Sequence, residues 1–360
     1  MGIEHLARPE IVAMRPYSSA RKEAPGQGIL LNANEAPWPL LDDPGEVSHL
    51  HRYPDPQPAD LVMRLAQLYG VTEENVLLTR GSDEGIDLLT RVFCRAGEDA
   101  ILQCPPTFGM YSIAAEAQGA EVVAVQRDPE TFALDEDAVL QRIGTDPRIR
   151  LIFLTSPNNP SGDLIEDDFL LKLLETCRDR AIVVLDEAYA EFCRQPSAAR
   201  LLGAHDNLAV LRTMSKAWAA AGLRCGTVLA QPAIIDLLRR VIAPYPLPSP
   251  VVDLARRMLT GENMSRQQQL LQQLGRNKMK LLGLLEDRSF VRRLFPGEAN
   301  FVLIRVDDAK ALIAFCAGRG VVVRGFAGEP LLRDCIRITV GSEADLDALA
   351  AVLDEWEKTP

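Results

Sequence analysis

Lys216 lies in a segment whose residue types favour covalent chemistry. It ends the sequence Thr213-Met214-Ser215-Lys216, which follows an apolar run, and small residues occupy 219–222. A lysine in such surroundings is a candidate for a lowered pKa and for Schiff-base formation. Arg224, eight residues further on, could bind a phosphate. A lone lysine is more often a solvated surface charge, so the segment by itself leaves both interpretations open.

Two other segments place polar groups directly after apolar runs. Asp186 is the first charge after the run 181–185, and Tyr189 follows it three residues later. Asn159 lies in the proline-rich and asparagine-rich turn 156–162, which follows the run 149–155. Ligands of open α/β sheets bind where parallel strands end, so these side chains are candidates for a binding site. Asp and Asn are also ordinary turn residues, which is the alternative for each segment.

A third segment suggests an anion site at the start of a helix. Gly81 permits a sharp turn after the run 76–79, and Ser82 is expected to be the N-cap of the helix that follows. Free N–H groups at a helix start bind phosphate. An ordinary capped helix is the alternative, because Asp83 and Glu84 suit the helix dipole without any ligand.

The elements that would carry these residues alternate between strand and helix. Helices are predicted between the strands, for example at 83–95 and 165–180. Strands rich in Val, Ile and Leu are predicted at 76–79, 100–104, 121–126, 149–155, 181–185, 208–213 and 226–230. Apolar residues on both faces of these strands indicate a mostly parallel sheet that helices cover on both sides, which is an α/β fold.

Four prolines between 244 and 250 interrupt this pattern and predict an extended connection. A long helical stretch at 251–287 follows it. Strands are then expected at 300–306, 321–324 and 335–340, with helices at 308–319 and 343–357. We therefore predict an N-terminal arm at 1–30, a large α/β domain at 31–245 and a small C-terminal α+β domain at 246–360.

Composition excludes several classes of function. The chain has 360 residues and a net charge of −11, which argues against binding to nucleic acid or to anionic membranes. No apolar run reaches the roughly 18–20 residues of a membrane helix, and the N-terminus has no apolar core of a secretory signal. Seven scattered cysteines without a CxxC pair predict reduced thiols and a cytoplasmic location. The four histidines lack partners at ligand spacing, so no metal site is expected.

Taken together, the polar segments match the requirements of one cofactor, pyridoxal 5'-phosphate. This cofactor needs a lysine for its imine and a carboxylate beside its pyridinium nitrogen. It also needs donors to its phenolic oxygen, and a helix start and a cation for its phosphate. The chain supplies these groups in the order helix start, Asn, Asp with Tyr, and Ser-Lys with Arg, each after a predicted strand.

These segments resemble the fold-type-I aminotransferases and, among them, the histidinol-phosphate aminotransferase family. The similarity runs from Leu31 to Gly341. It also includes the sequences at 31–35, 52–55, 105–108 and 336–341. It implies a large domain built on a mostly parallel seven-stranded sheet with flanking helices, and a smaller α+β domain.

The resemblance assigns roles around the cofactor. It implies that Lys216 carries the imine and moves the catalytic proton, and that Asp186 pairs with the pyridine nitrogen. Tyr189 and Asn159 would bond the phenolic oxygen, and Phe108, where the family more often has Tyr, would stack on the ring. The implied phosphate contacts are Ser82, Asp83, Ser215, Arg224 and, from the neighbouring subunit, Tyr53. A tyrosine that crosses in this way implies an obligate homodimer with shared active sites.

The resemblance also implies a substrate pair. The amino group would pass reversibly between L-histidinol phosphate and 2-oxoglutarate, giving imidazole acetol phosphate and glutamate in histidine biosynthesis. The implied substrate contacts are Tyr17, Asn34, Asn159, Arg324 and Arg337. For Arg337 alone, a surface charge on an edge strand is the alternative, because its neighbours Ile336 and Ile338 define the opposite, apolar face.

Other reactions remain open at this point. An aromatic amino acid aminotransferase or a phospho-amino acid decarboxylase would have the same fold and cofactor. A non-catalytic relative that binds the cofactor as a structural ligand is a further alternative, which the presence of both Lys216 and Asp186 argues against.

Overall fold

A seven-stranded sheet forms the centre of the larger part of the chain. The computed structural model describes residues 2–16, 31–41 and 50–358. The sheet consists of β1 Val76–Thr79, β2 Ala100–Gln103, β3 Glu121–Ala124, β4 Ile149–Thr155, β5 Ile182–Asp186, β6 Leu208–Thr213 and β7 Gly226–Ala230. In the order β1-β7-β6-β5-β4-β2-β3, β7 runs opposite to the other six strands, which all point in one direction. The prediction of a mostly parallel sheet is confirmed.

Helices cover both faces of this sheet. They are α1 Pro9–Ala13, α2 Ala59–Tyr69, α3 Gly81–Phe93, α4 Met110–Gln118, α5 Glu136–Thr145, α6 Asp167–Thr176 and α7 Pro232–Val241. In β5, Val183 belongs to the apolar cluster on one face and Val184 to the cluster on the other, and both are fully buried. A strand that is buried on both faces explains why its sequence is continuously apolar rather than alternating.

A second, four-stranded antiparallel sheet follows in the chain. It contains β8 Val291–Phe295, β9 Phe301–Val306, β10 Arg324–Gly325 and β11 Cys335–Thr339 in the order β10-β11-β9-β8. Helices α8 Ser249–Met258 and α9 Gly261–Glu286 precede this sheet in the chain, and α10 Ala309–Gly318 and α11 Glu343–Trp356 pack on it. The predicted helix at 251–287 is therefore two helices. The break occurs where the side chain of Thr260 accepts the N–H of Asn263 and caps a new helix start.

Helix α9 joins the two sheets. Its residues Met264 and Leu271 pack against an apolar cluster of the large sheet, whereas its residues Leu281 and Leu285 belong to the cluster of the small sheet. Residues 243–248 form neither helix nor strand, as the prolines predict, and Pro250 lies in the first turn of α8, where a proline is tolerated. The division into domains at residue 246 stays a prediction.

A contact between two glycines connects the two parts next to the turn 156–162. Gly162 and Gly297 both have positive φ angles, of 79° and 50°. A Cβ atom on Gly297 would lie 2.6 Å from Cα of Gly162, and the N–H of Glu298 donates to the carbonyl of Gly162 over 2.7 Å. Only glycine permits the backbones to approach so closely.

Gly297→Ala is therefore expected to lower the free energy of unfolding by about 2–3 kcal/mol. The added Cβ would clash with Gly162, and alanine is strained at the positive φ angle of this position. Urea unfolding measures this change. Gly275→Ala is the control, since Gly275 lies on α9 with nothing within 4 Å of an added Cβ. It should stabilise the protein by up to about 1 kcal/mol. Equal effects of the two substitutions would contradict the role of the glycine contact.

Candidate active site

A cavity of about 140 Å³ opens where β4, β5 and β6 end. The cavity is lined by Ser82, Asp83, Phe108, Thr155, Asn159, Asp186, Ala188, Tyr189, Thr213, Ser215, Lys216, Ala221 and Arg224. The structure thus brings together all the predicted cofactor contacts except Tyr53.

Asp186 provides a buried carboxylate at the end of β5. Its side chain accepts the N–H of Ala188 over 3.0 Å and the hydroxyl of Tyr111 over 2.8 Å. Burial raises its pKa to about 6, and the Tyr111 hydrogen bond opposes that rise. Within the described ranges no cation forms an ion pair with Asp186. A buried carboxylate of this kind suits the N–H of a pyridinium ring, which would supply the missing positive charge.

Lys216 provides the amine. It follows β6 directly, and its Nζ lies 5.6 Å from the ring centroid of Tyr189. Burial lowers the pKa of Lys216, and the positive charge of Arg337 lowers it further. A lowered pKa increases the fraction of neutral amine near neutral pH, which is the form that reacts with an aldehyde.

The start of α3 differs from the prediction at Ser82. The N-cap is Arg80, so the prediction that Ser82 caps the helix is wrong. The physical reason is that the carboxylate of Glu84 reaches back and accepts the N–H of Arg80 over 2.6 Å. Ser82 and Asp83 lie in the first turn instead, where backbone N–H groups have no acceptor within the helix and can bind an anion.

Arg224 lies against this helix start. Its Nη2 donates to Asp83 over 3.0 Å, and its Nη1 donates to the hydroxyl of Ser215 over 3.2 Å. A Cβ on Gly81 would lie 2.6 Å from Nη2 of Arg224, and a Cβ on Gly226 would lie 2.7 Å from the N of Ser82. The two glycines therefore allow the guanidinium and the first turn to come together, which fits a phosphate group.

Aromatic side chains line the space between these polar groups. The ring of Phe108 meets the edge of Tyr111 at a centroid distance of 5.7 Å, and Tyr189 meets Phe301 at 5.3 Å. The side-chain oxygen of Asn159 accepts a hydrogen bond from Nη1 of Arg337, which leaves its amide N–H groups to donate. An amine, a buried carboxylate, an anion cradle and a flat apolar wall occur together, so the residues present fit pyridoxal phosphate.

Arg337 of β11 turns toward the site, so its interpretation as a surface charge is wrong. It is half-buried, and its guanidinium carbon lies 5.2 Å from the ring centroid of Phe301. Its Nε is buried and has no hydrogen-bond partner among the described residues. Burial and the charge of Arg324, directly opposite on β10, lower its pKa. An anion bound here would offset both the burial of the Arg337 charge and its repulsion from Arg324.

Of the remaining predicted contacts, Tyr53, Asn34 and Arg324 do not line the cavity. Tyr53 is half-exposed and stacks on Tyr245 at a centroid distance of 4.5 Å. Asn34 and Arg324 are exposed, and Asn34 has a φ of 56°. Tyr17 lies outside the described residues. The cofactor and substrate roles of these four residues, like those of the residues that line the cavity, stay predictions.

Sequence reasoning missed Thr155, Thr213 and Tyr111. Thr155 and Thr213 end β4 and β6, so the rule that identified Asp186 would also have found them. Tyr111 lies three residues after Phe108, at the start of α4. Its contact with Asp186 spans 75 positions of the chain, and no local pattern reports such a contact.

The described ranges contain no group of three or more His, Cys, Asp or Glu residues that could hold a metal ion. No helix there combines the length and the apolar character needed to cross a bilayer. The seven cysteines are all unpaired thiols.

The chain belongs to the class I and II aminotransferases, whose family model matches residues 30–353. It is thus a pyridoxal-phosphate-dependent aminotransferase, as the site indicates. It is 44% identical to the histidinol-phosphate aminotransferase of Aeromonas hydrophila subsp. hydrophila, over 98% of each chain. It is 43% identical to that of Cronobacter sakazakii, over 97% of each.

A solved structure of a putative histidinol-phosphate aminotransferase from Erwinia carotovora atroseptica has a TM-score of 0.76 to this chain. The two are 27% identical, and the match covers 86% of this chain and 88% of that one. The fold that the resemblance implied is confirmed.

Asp186→Asn is expected to stabilise the cofactor-free protein at about pH 8. Folding raises the pKa of Asp186 from 3.8 to about 6, so its ionised form penalises the folded state. The penalty is present in full above the folded pKa, reaches roughly 3 kcal/mol, and disappears as the pH falls through 6 toward 4. Urea unfolding at pH 8 and 4.5 measures it.

The matched control is Asp347→Asn, which removes an exposed carboxyl on α11. It should change stability little at either pH. A loss of stability in Asp186→Asn at pH 8, or an equal gain at both pH values, would contradict the assignment of an unneutralised buried carboxylate.

Proposed function

We propose that this chain transfers an amino group reversibly between L-histidinol phosphate and 2-oxoglutarate. The products are imidazole acetol phosphate and glutamate, and the reaction belongs to histidine biosynthesis. Similarity to histidinol-phosphate aminotransferases over nearly the whole chain supports this choice of substrate. Arg337 is the structural observation that supports this proposal. Its guanidinium donates to Asn159 at the cofactor cavity, and its Nε has no hydrogen-bond partner among the described residues.

Two arginines explain how one pocket accepts two different substrates. Histidinol phosphate carries a phosphate where an amino acid has its α-carboxylate, and glutamate carries carboxylates. The forked guanidinium donors of Arg337, with Arg324 directly opposite across the two strands, suit either anion. A single lysine in this place would offer only a point charge.

Bound in the cavity, pyridoxal phosphate supplies a protonated pyridine ring that accepts the electron pair left when a proton leaves the substrate carbon bearing the amino group. Asp186 would hold the ring nitrogen, and its own charge would be neutralised there. Asn159 and Tyr189 would donate to the phenolic oxygen. Ser82, Asp83, Ser215 and Arg224 surround the place for the phosphate.

Lys216 has two tasks at this site. Its amine would hold the cofactor covalently at the aldehyde carbon until the amine of the substrate takes its place. The free amine then takes the proton from the substrate carbon that bears the amino group, and later gives a proton back. The lowered pKa of Lys216 favours the neutral amine that this step requires.

We also propose that the enzyme is a homodimer in which each subunit completes the site of the other. Tyr53 lies outside the cavity of its own chain and is half-exposed, as expected for a residue that serves a neighbour. The described segment 31–41 also exposes large apolar side chains, those of Leu31, Trp38 and Leu40. A second copy would bury them.

We also propose a cytoplasmic location, which accords with the seven unpaired cysteines.

The substrate is tested by adding L-histidinol phosphate, phenylalanine or glutamate separately to the cofactor-loaded enzyme while the visible absorption of the cofactor is followed. We expect complete half-reactions with glutamate and with low concentrations of histidinol phosphate. Conversion by phenylalanine alone would identify an aromatic aminotransferase. Release of CO₂ from a phospho-amino acid would identify a decarboxylase. Lys216→Ala is expected to abolish turnover in every case, and turnover retained in that variant would refute the assignment of Lys216.

Arg337→Ala is expected to raise KM for both histidinol phosphate and glutamate. Loss of a half-buried charged partner costs about 2 kcal/mol or more, which corresponds to about 30-fold or more in kcat/KM. Steady-state kinetics with each substrate measure the effect.

Arg293→Ala, on the exposed part of β8 in the same sheet, is the matched control and should leave both KM values unchanged. An unchanged KM for glutamate in Arg337→Ala would remove Arg337 from the substrate site.

A further inference from the structure

Tyr111 is a fully buried residue that touches two cofactor-contacting residues but does not line the cavity itself. Its ring stacks on Phe153 at a centroid distance of 4.8 Å and an interplanar angle of 8°. The edge contact with Phe108, at 83°, supports the wall of the cavity from behind. The hydroxyl reaches Asp186 over 2.8 Å and Thr155 over 2.7 Å.

The hydrogen atoms available to these groups fix the direction of the hydrogen bonds. Thr107 donates its only hydroxyl proton to the side-chain oxygen of Asn158 over 2.9 Å, so it can only accept in its 3.2 Å contact with Thr155. When Asp186 is ionised, Tyr111 donates to it, and Thr155 is then the donor in the shorter, 2.7 Å contact with Tyr111. The order of donation is therefore Thr155 to Tyr111 to Asp186. Burial and the nearby charge of Asp186 raise the pKa of Tyr111 well above 10, so its hydroxyl stays a donor.

We propose that Tyr111 is a positioning residue for the cofactor: its hydroxyl holds Asp186 ionised and directed at the ring nitrogen, while its ring supports Phe108. When Asp186 is ionised it accepts both the N–H of Ala188 and the hydroxyl of Tyr111, and both hydrogen bonds stabilise the charged form of its carboxyl group. This inference rests on the cofactor assignment and does not depend on which amino donor the enzyme uses.

The other charges around Asp186 act against its ionisation or are shared with the cofactor. Asp83 on α3 and the adjacent Glu187 both raise its pKa. Glu187 is itself paired with Arg212 over 2.7 Å. Lys216 and Tyr189 also interact electrostatically with Asp186, and the amine of Lys216 would be engaged in holding the cofactor. The hydroxyl of Tyr111 is therefore the side-chain donor that opposes the effect of burial on Asp186.

The test is the pH dependence of cofactor binding. Tyr111→Phe keeps the ring and removes the hydroxyl, and the dissociation constant of pyridoxal phosphate is measured by equilibrium dialysis between about pH 5 and 9. In the wild type, affinity should fall as Asp186 becomes protonated. In Tyr111→Phe the affinity should begin to fall about one to two pH units higher, because ionised Asp186 has lost a hydrogen bond. At about pH 9 the affinity of the variant should approach the wild-type value.

Two further variants separate positioning from packing. Phe153→Leu disturbs the stacking partner of Tyr111 but keeps the hydroxyl, so its binding curve should keep the wild-type pH dependence. Thr155→Val removes the donor to Tyr111 and should shift the curve in the same direction as Tyr111→Phe, but less. A uniform loss of affinity in Tyr111→Phe at every pH, or the same shift in Phe153→Leu, would overturn the proposal.

The pH dependence of unfolding of the cofactor-free proteins gives a second readout. Tyr111→Phe should move the midpoint of the pH-dependent change in stability upward, and Tyr111→Phe combined with Asp186→Asn should show no such midpoint. Both outcomes follow from residues of this chain alone. A wild-type protein that binds no pyridoxal phosphate would instead refute the cofactor assignment, and that failure is distinct from an unshifted curve in Tyr111→Phe.

Discussion

The site depends on the burial of one carboxylate, that of Asp186, at the end of a central strand. Among the described residues this carboxylate has no ion-pair partner. β5 lies between β4 and β6, so Asp186 loses its water when the sheet and its helices assemble. Two donors, Tyr111 and Ala188, offset part of that cost. The remaining cost destabilises the cofactor-free fold, and a cationic ring would remove it. The protein thus gives up stability for a site that is already arranged for the cofactor.

Parallel strand order explains why the other groups reach the same place. β4, β5 and β6 are neighbours that run in one direction, so Thr155, Asp186 and Thr213 end at one edge. The turn with Asn159 and the loop with Lys216 begin there. The small sheet adds Arg337, and the Gly162–Gly297 contact fixes the turn against it. The large sheet therefore supplies the residues proposed to bind the cofactor. The small sheet supplies Arg337, the arginine proposed to bind the substrate anion.

Much of this arrangement could be predicted from the sequence, because burial on both faces leaves a clear signal. Strands at 149–155, 208–213 and 226–230 agree with the structure to the residue. β8 was missed because exposed Arg292 and Arg293 interrupt its apolar pattern. The prediction that Ser82 caps α3 is wrong because the carboxylate of Glu84 accepts the N–H of Arg80 and makes Arg80 the N-cap. Tyr111 was missed because its partner lies far away in the chain.

The protonation state of the ring nitrogen shows whether Asp186 holds the cofactor as a pyridinium ion. The enzyme would be loaded with pyridoxal phosphate labelled with ¹⁵N in the ring, and the nitrogen chemical shift recorded at about pH 8. A shift typical of a protonated pyridine in the wild type, lost in Asp186→Asn, is the predicted result. An unprotonated ring nitrogen in the wild-type enzyme would show that Asp186 does not form the ion pair on which the account depends.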